Sequence, residues 1–119
     1  MSSLAFKRLV AIAGMLKDVE LARLARLQAQ DAAIVARQSQ IEQSARRALH
    51  LRDADPADRH MVQQYRAWTG QTLAGLTAER KRIAPEAEVA RKAAARSFGQ
   101  HQVLSRLQVL DLQARRKKP

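Results

Sequence analysis

Four groups of residues in this chain have types and spacings that could support chemistry. Gly70-Gln71-Thr72-Leu73-Ala74-Gly75-Leu76-Thr77 has the spacing of a phosphate-binding loop. That chemistry needs a lysine for the β- and γ-phosphates, and free backbone N–H groups in a turn that follows a strand. Leu76 stands where the lysine belongs, and no strand-like stretch precedes it. The plainer reading is two small residues that let a facing helix approach beside Trp68. Asp53, Asp55 and Asp58 suggest a cation site, but they lack the glycine and the bidentate glutamate of a calcium loop. His50, His60 and His101 form no ligand spacing, and there is no cysteine to complete a metal site or form a disulfide. Basic runs at Arg80-Lys81-Arg82 and Arg115-Arg116-Lys117-Lys118 could contact phosphates. Neither run is interleaved with aromatics for base stacking, and no helix-turn-helix or zinc-finger pattern accompanies them.

No nucleophile with an adjacent base is visible. Glu79, Glu86 and Glu88 lie among Arg80, Lys81, Arg82, Arg91 and Lys92, which is ordinary pairing three and four residues apart on a helix face. We therefore expect no catalytic residue, no metal, no cofactor and no enzymatic activity.

The elements that position these residues can be read outward from Asp53-Ala54-Asp55-Pro56-Ala57-Asp58. Asp55 suits an N-cap, where its carboxylate accepts from free N–H groups of the first turn. Pro56 suits the first helical position, and Asp58 the capping-box position. His50 and Arg52 suit the C-terminus of a preceding helix. The pattern predicts a turn at about residues 53–56 between helix 1, about 3–52, and helix 2, about 56–116. At 1.5 Å per residue these would be roughly 75 and 90 Å long.

In helix 1, Leu27, Ile34, Ile41 and Ala48 recur every seven residues, with Leu24, Asp31, Gln38 and Ala45 at the other seam position. Leu9, Ile12 and Leu16 continue the apolar stripe toward the N-terminus. The step from Leu16 to Leu27 is eleven residues, which predicts a local relaxation of the supercoil. Asp31 and Gln38 are polar seam residues of the kind that set register or partner. The helix 2 stripe is Val62, Tyr65, Thr69, Leu73, Leu76, Ile83, Ala87, Ala90, Ala94, Phe98, Leu104 and Leu107. Pro85 removes one helical hydrogen bond and clashes with the carbonyl of Lys81, at about 3 kcal/mol. Because the apolar period continues across it, we expect a kink there rather than a break.

The two stripes face each other if paired residue numbers sum to about 110. This places Ala48 by Val62, Ala45 by Tyr65, Ile41 by Thr69 and Gly70, Ile34 by Leu76 and Leu27 by Ile83. It continues with Leu16 by Ala94, Ile12 by Phe98 and Phe6 by Leu104. The fold expected is all-α: a single long antiparallel two-helix coiled-coil hairpin over residues 1–119.

Composition agrees with a thin seam rather than a thick core. Of 119 residues 46% are hydrophobic, much of that alanine, and only 3% are aromatic. The longest apolar run, Leu9 to Leu16, is far below the roughly 20 residues needed to span a bilayer. No cleavage site follows it, so a soluble, unprocessed, cytoplasmic protein is expected. The net charge is +11 with a pI of about 11.4. Such a surface suits an acidic protein partner, nucleic acid or anionic lipid.

The N-terminal half, LAFKRLVAIAGMLKDVELARLARLQAQDAAIVARQSQIEQ, resembles the opening of the FliJ/YscO group, the small stalk proteins of flagellar and type III secretion export. In that group a short Phe-Lys/Arg-Leu start leads into a charged, Leu- and Ala-rich helix, a turn and a longer return helix. The resemblance implies a non-enzymatic stalk or adaptor in the cytoplasm, peripheral at the inner face of the membrane. Its partners would be an export ATPase ring, the export gate or substrate chaperones. The residues it implicates are basic ones near the termini, Lys7, Arg8, Arg106, Arg115 and Arg116, with Arg80, Lys81 and Arg82 as a second surface. Two alternatives stay open: a basic helical nucleic-acid-binding protein, and a scaffold that completes its bundle as a homodimer.

Overall fold

The computed structural model describes residues 3–52 and 56–117. Helix α1 runs Ser3–Arg52, a 3₁₀ turn covers Pro56–Asp58, and helix α2 runs Arg59–Arg116. The chain is all-α, an antiparallel two-helix coiled-coil hairpin. Pro56 opens the return segment, as its fixed φ and missing N–H favour. The expected cap at Asp55, and Asp53 beside it, lie outside the described residues. Helix α2 continues through Pro85 without a break.

The fold divides into two compact units, Leu27–Pro85 and the pair of segments Met1–Arg26 and Glu86–Pro119. The first, called the turn unit here, follows the expected seam. Leu27, Ile34, Ile41 and Ala45 of α1 are buried, as are Val62, Thr69 and Ile83 of α2. The expected polar seam positions each bond across it. Asp31 accepts from the Arg80 Nε at 2.8 Å and Nη2 at 3.3 Å, and Gln38 Nε2 donates to Thr77 Oγ1 at 3.1 Å. Ala48, Leu49, Met61, Val62 and Tyr65 line one small apolar hollow, which keeps Ala48 by Val62. These pairings fit the expected register and explain what two polar residues do in an apolar seam. They favour one alignment over its slipped alternatives.

The second unit, the terminal unit, departs from expectation. Leu9, Ile12 and Leu16 were expected in the seam, yet they are 40, 50 and 53% exposed. Ala13 is buried instead, and Val10, Lys17 and Glu20 are half-buried. The α1 seam thus keeps one phase, Ala13, Glu20, Leu27, Ile34 and Ile41, seven residues apart, and the eleven-residue step does not occur. On α2, Phe98 and Leu107 were expected inside and are 51 and 46% exposed, while Ser97, His101, Leu104 and Gln108 are half-buried. Phe98 lies beside Lys17, five residues along α1 from the partner expected for it. His101 packs on Gly14, where an added Cβ would lie 3.3 Å from its Nε2.

The physical reason is the size of the seam residues. Ala90 is fully buried, Ala94 is 3% exposed and Ala13 is 8% exposed. Alanines allow two helices to approach closely, and a close seam has no room for leucine and isoleucine side chains. The larger residues turn to the flank.

Candidate functional site

Residues 70–77, set aside above as a phosphate loop, lie in an uninterrupted helix whose backbone N–H groups bond within it. The role preferred for its glycines is corrected. A Cβ on Gly70 or Gly75 would meet nothing within 4 Å, so neither glycine makes room for a close helix approach. Trp68 is 49% exposed and stacks on Tyr65, with ring centroids 5.9 Å apart. Among the described residues no group of three or more His, Cys, Asp or Glu side chains converges as a metal site. No described helix is long and apolar enough to cross a membrane.

The candidate basic residues divide between the units. Lys7, Arg8, Arg106, Arg115 and Arg116 belong to the terminal unit and are all exposed. Arg115 lies 3.3 Å from Asp111, one turn earlier on α2. Arg80, Lys81 and Arg82 belong to the turn unit, where the three do not act alike. All three are exposed, but Arg80 is paired with Asp31 across the seam and so serves the fold. The Arg80 guanidinium, mainly through its hydrogen bond, holds the Asp31 carboxyl below the usual aspartate value; the pair raises Arg80 in turn. On α2, the hydrogen bond from Arg91 likewise lowers Glu88.

The sequence-based candidates omit an apolar groove in the terminal unit. Leu9, Ile12 and Leu16 form one wall, and Ala95, Gly99 and Val103 are on the other, with Ala13 and Leu104 also lining it. Its volume is about 690 Å³. Arg96 is the charged residue of the lining, with Gln100 the other polar one. Lys17 lies 6.0 Å from the centre of the Phe98 ring, within cation–π range. The signal that could have revealed the groove is the unbroken seven-residue ladder from Ala13 to Ile41. Extending that ladder to the N-terminus leaves Leu9, Ile12 and Leu16 off the seam.

Charge is distributed unevenly. By sequence count the terminal unit carries 13 basic and 5 acidic residues, net +8, and the turn unit 9 and 6, net +3. No protein-family model matches the chain, and no curated protein or solved structure is significantly similar to it. Any functional reading therefore rests on the surface itself and on the resemblance drawn from the sequence.

Proposed function

We propose that this chain is a non-enzymatic coiled-coil stalk or adaptor of a bacterial flagellar or type III export apparatus. In this reading it acts in the cytoplasm and docks through its terminal unit. The observation that supports this most is the concentration of charge, +8 of the net +11, on the unit that holds both chain ends. Exposed cations at Lys7, Arg8, Arg106, Arg115 and Arg116 suit an acidic surface such as the lumen of an ATPase ring, an export gate or a chaperone. Lys81 and Arg82 offer a second, smaller contact. A helical hairpin presents long exposed helix faces of the kind a protein partner can dock against.

Pulldown of the export ATPase with the full chain tests this reading. Reversing Lys7, Arg8, Arg115 and Arg116 to Glu should abolish capture while far-UV circular dichroism stays helical. Capture that is indifferent to the reversal would refute the contact. Tight binding to duplex DNA, falling steeply with salt, would instead favour the nucleic-acid reading. A dimer that persists at submicromolar concentration would favour the scaffold.

A further inference from the structure

We infer that the apolar groove of the terminal unit is a docking site for an amphipathic helix bearing acidic residues beside its apolar stripe. The inference does not depend on the export-apparatus reading. Its starting point is that the terminal unit turns out the residues that would ordinarily build its seam. Ile12, Leu16 and Val103 are 50, 53 and 58% exposed, although leucine, isoleucine and valine are the main apolar seam residues of coiled coils. Meanwhile Lys17, Glu20, Ser97 and Gln108 are half-buried, and Glu20 Oε2 is buried without a hydrogen-bond partner. An apolar strip of this kind on a soluble surface marks an interaction site.

Its geometry fits a helix. Leu9, Ile12 and Leu16 are spaced three and four apart on one flank of α1, covering about two turns. Gly99 lies on the α2 wall, and an added Cβ there would meet nothing within 4 Å, so that wall is open to an incoming side chain. A third helix laid here would pack its i, i+3, i+7 residues against both walls, as in helix-in-groove recognition.

Charge selects among occupants. Arg96 lines the groove, and no acidic residue does. The surrounding unit carries net +8. A second copy of this chain would bring +8 against +8, which like-charge repulsion opposes. Nucleic acid would meet the cations but leave the leucine and valine walls unused, since phosphate and base edges do not fill aliphatic grooves. An acidic amphipathic helix uses both features: its apolar stripe covers the groove and its carboxylates meet Arg96 and neighbouring cations such as Lys92.

A direct test uses the full chain and three fluorescein-labelled peptides of three heptads each. One has leucine at the seam positions and glutamate beside them. The second has the same composition in shuffled order, and the third has lysine in place of glutamate. The acidic amphipathic peptide should bind, and the other two at least about tenfold more weakly. Ile12→Gln and Val103→Gln, both at exposed positions, should each weaken binding by about fivefold or more, the range expected for an interface anchor.

Gly99→Leu separates docking from folding. Leucine is the better helix former and has open space, so the melting temperature should rise. Its side chain would fill the groove, so binding should fall at least about tenfold. Unchanged binding to Gly99→Leu, or equal binding of the shuffled acidic peptide, would overturn the proposal. It would also be overturned if Ile12→Gln abolished binding to duplex DNA or phosphatidylserine vesicles but left the peptide unaffected. A dimer in sedimentation that Ile12→Gln dissolves would assign the groove to a second copy and overturn it too.

Discussion

At the scale of residues, two polar pairs cross the seam, Asp31 with Arg80 and Gln38 with Thr77. Asp31 and Arg80 form a bidentate pair that is exposed to solvent, so their value is alignment more than stability. The folded Asp31 carboxyl titrates below its ordinary 3.8. Its contribution is therefore present above that pH and is lost as pH falls through the lower folded value. Glu88 adds a contribution of the same sign through Arg91. Asp31→Asn should lower stability slightly at pH 7, match the parent near pH 2, and so flatten the fall in acid; melting curves from pH 7 to pH 2 check this. An unchanged acid limb would show that the pair does not persist in solution. The glycines offer a matched comparison. Gly75→Ala fills open space and should stabilise by about 1 kcal/mol through helix propensity. Gly14→Ala has the same propensity gain, but its Cβ meets the His101 ring at 3.3 and 3.4 Å. Its gain should be smaller, and urea melts of both variants measure the difference. Equal gains would mean that the imidazole yields freely.

At the scale of elements, α2 keeps its helical course through a residue that cannot complete the ladder. Pro85 has no N–H, and its ring crowds the carbonyl one turn earlier. Helix α2 also passes from one compact unit to the next at Pro85 and Glu86. Pro85→Ala should raise stability by about 3 kcal/mol, read from urea melts. A gain below about 1 kcal/mol would mean that the flanking turns already accommodate the ring. The same helices show where sequence reasoning succeeds and where it stops. In the turn unit Leu27, Ile34, Ile41, Val62 and Ile83 are both apolar and in phase, so periodicity and burial agree. The turn is legible because Pro56 is a local signal. In the terminal unit the two criteria conflict. Hydrophobicity favours Leu9, Ile12 and Leu16, whereas the phase of a continuous helix favours Ala13, Lys17 and Glu20. Phase prevails because α1 is one continuous helix, in which Ala13, Glu20 and Leu27 share a face at seven-residue spacing and Leu9, Ile12 and Leu16 fall beside it. The basic candidates were visible as charge runs, but a run does not show which member is used internally. Only the opposing Asp31 separates Arg80 from Lys81 and Arg82.

At the scale of the whole molecule, charge and seam quality vary together. The terminal unit holds net +8, and its buried hydrophobic residues are alanines, Ala13, Ala90 and Ala94; the turn unit holds net +3 and buries Leu27, Ile34, Ile41, Val62 and Ile83 besides Ala45. Self-repulsion among like charges destabilises a compact state, and small or polar seam residues bury less apolar surface. Both effects predict that the terminal unit opens first. Native-state hydrogen exchange should find amides in residues 4–26 and 86–116 less protected than those in 27–50 and 59–85. Salt acts on only one of the two causes. At about 0.5 M the screening length falls to a few ångströms, so repulsion is relieved while apolar burial changes little. Protection in the terminal segments should therefore rise with salt, and protection in the turn unit should move much less. If both sets of amides exchange at one common rate at every salt concentration, the molecule opens as a single cooperative unit and the charge asymmetry has no bearing on its stability. If the terminal segments are less protected but indifferent to salt, the alanine-rich seam alone sets the difference. A rise with salt would show that repulsion among the terminal unit's own charges contributes to its opening.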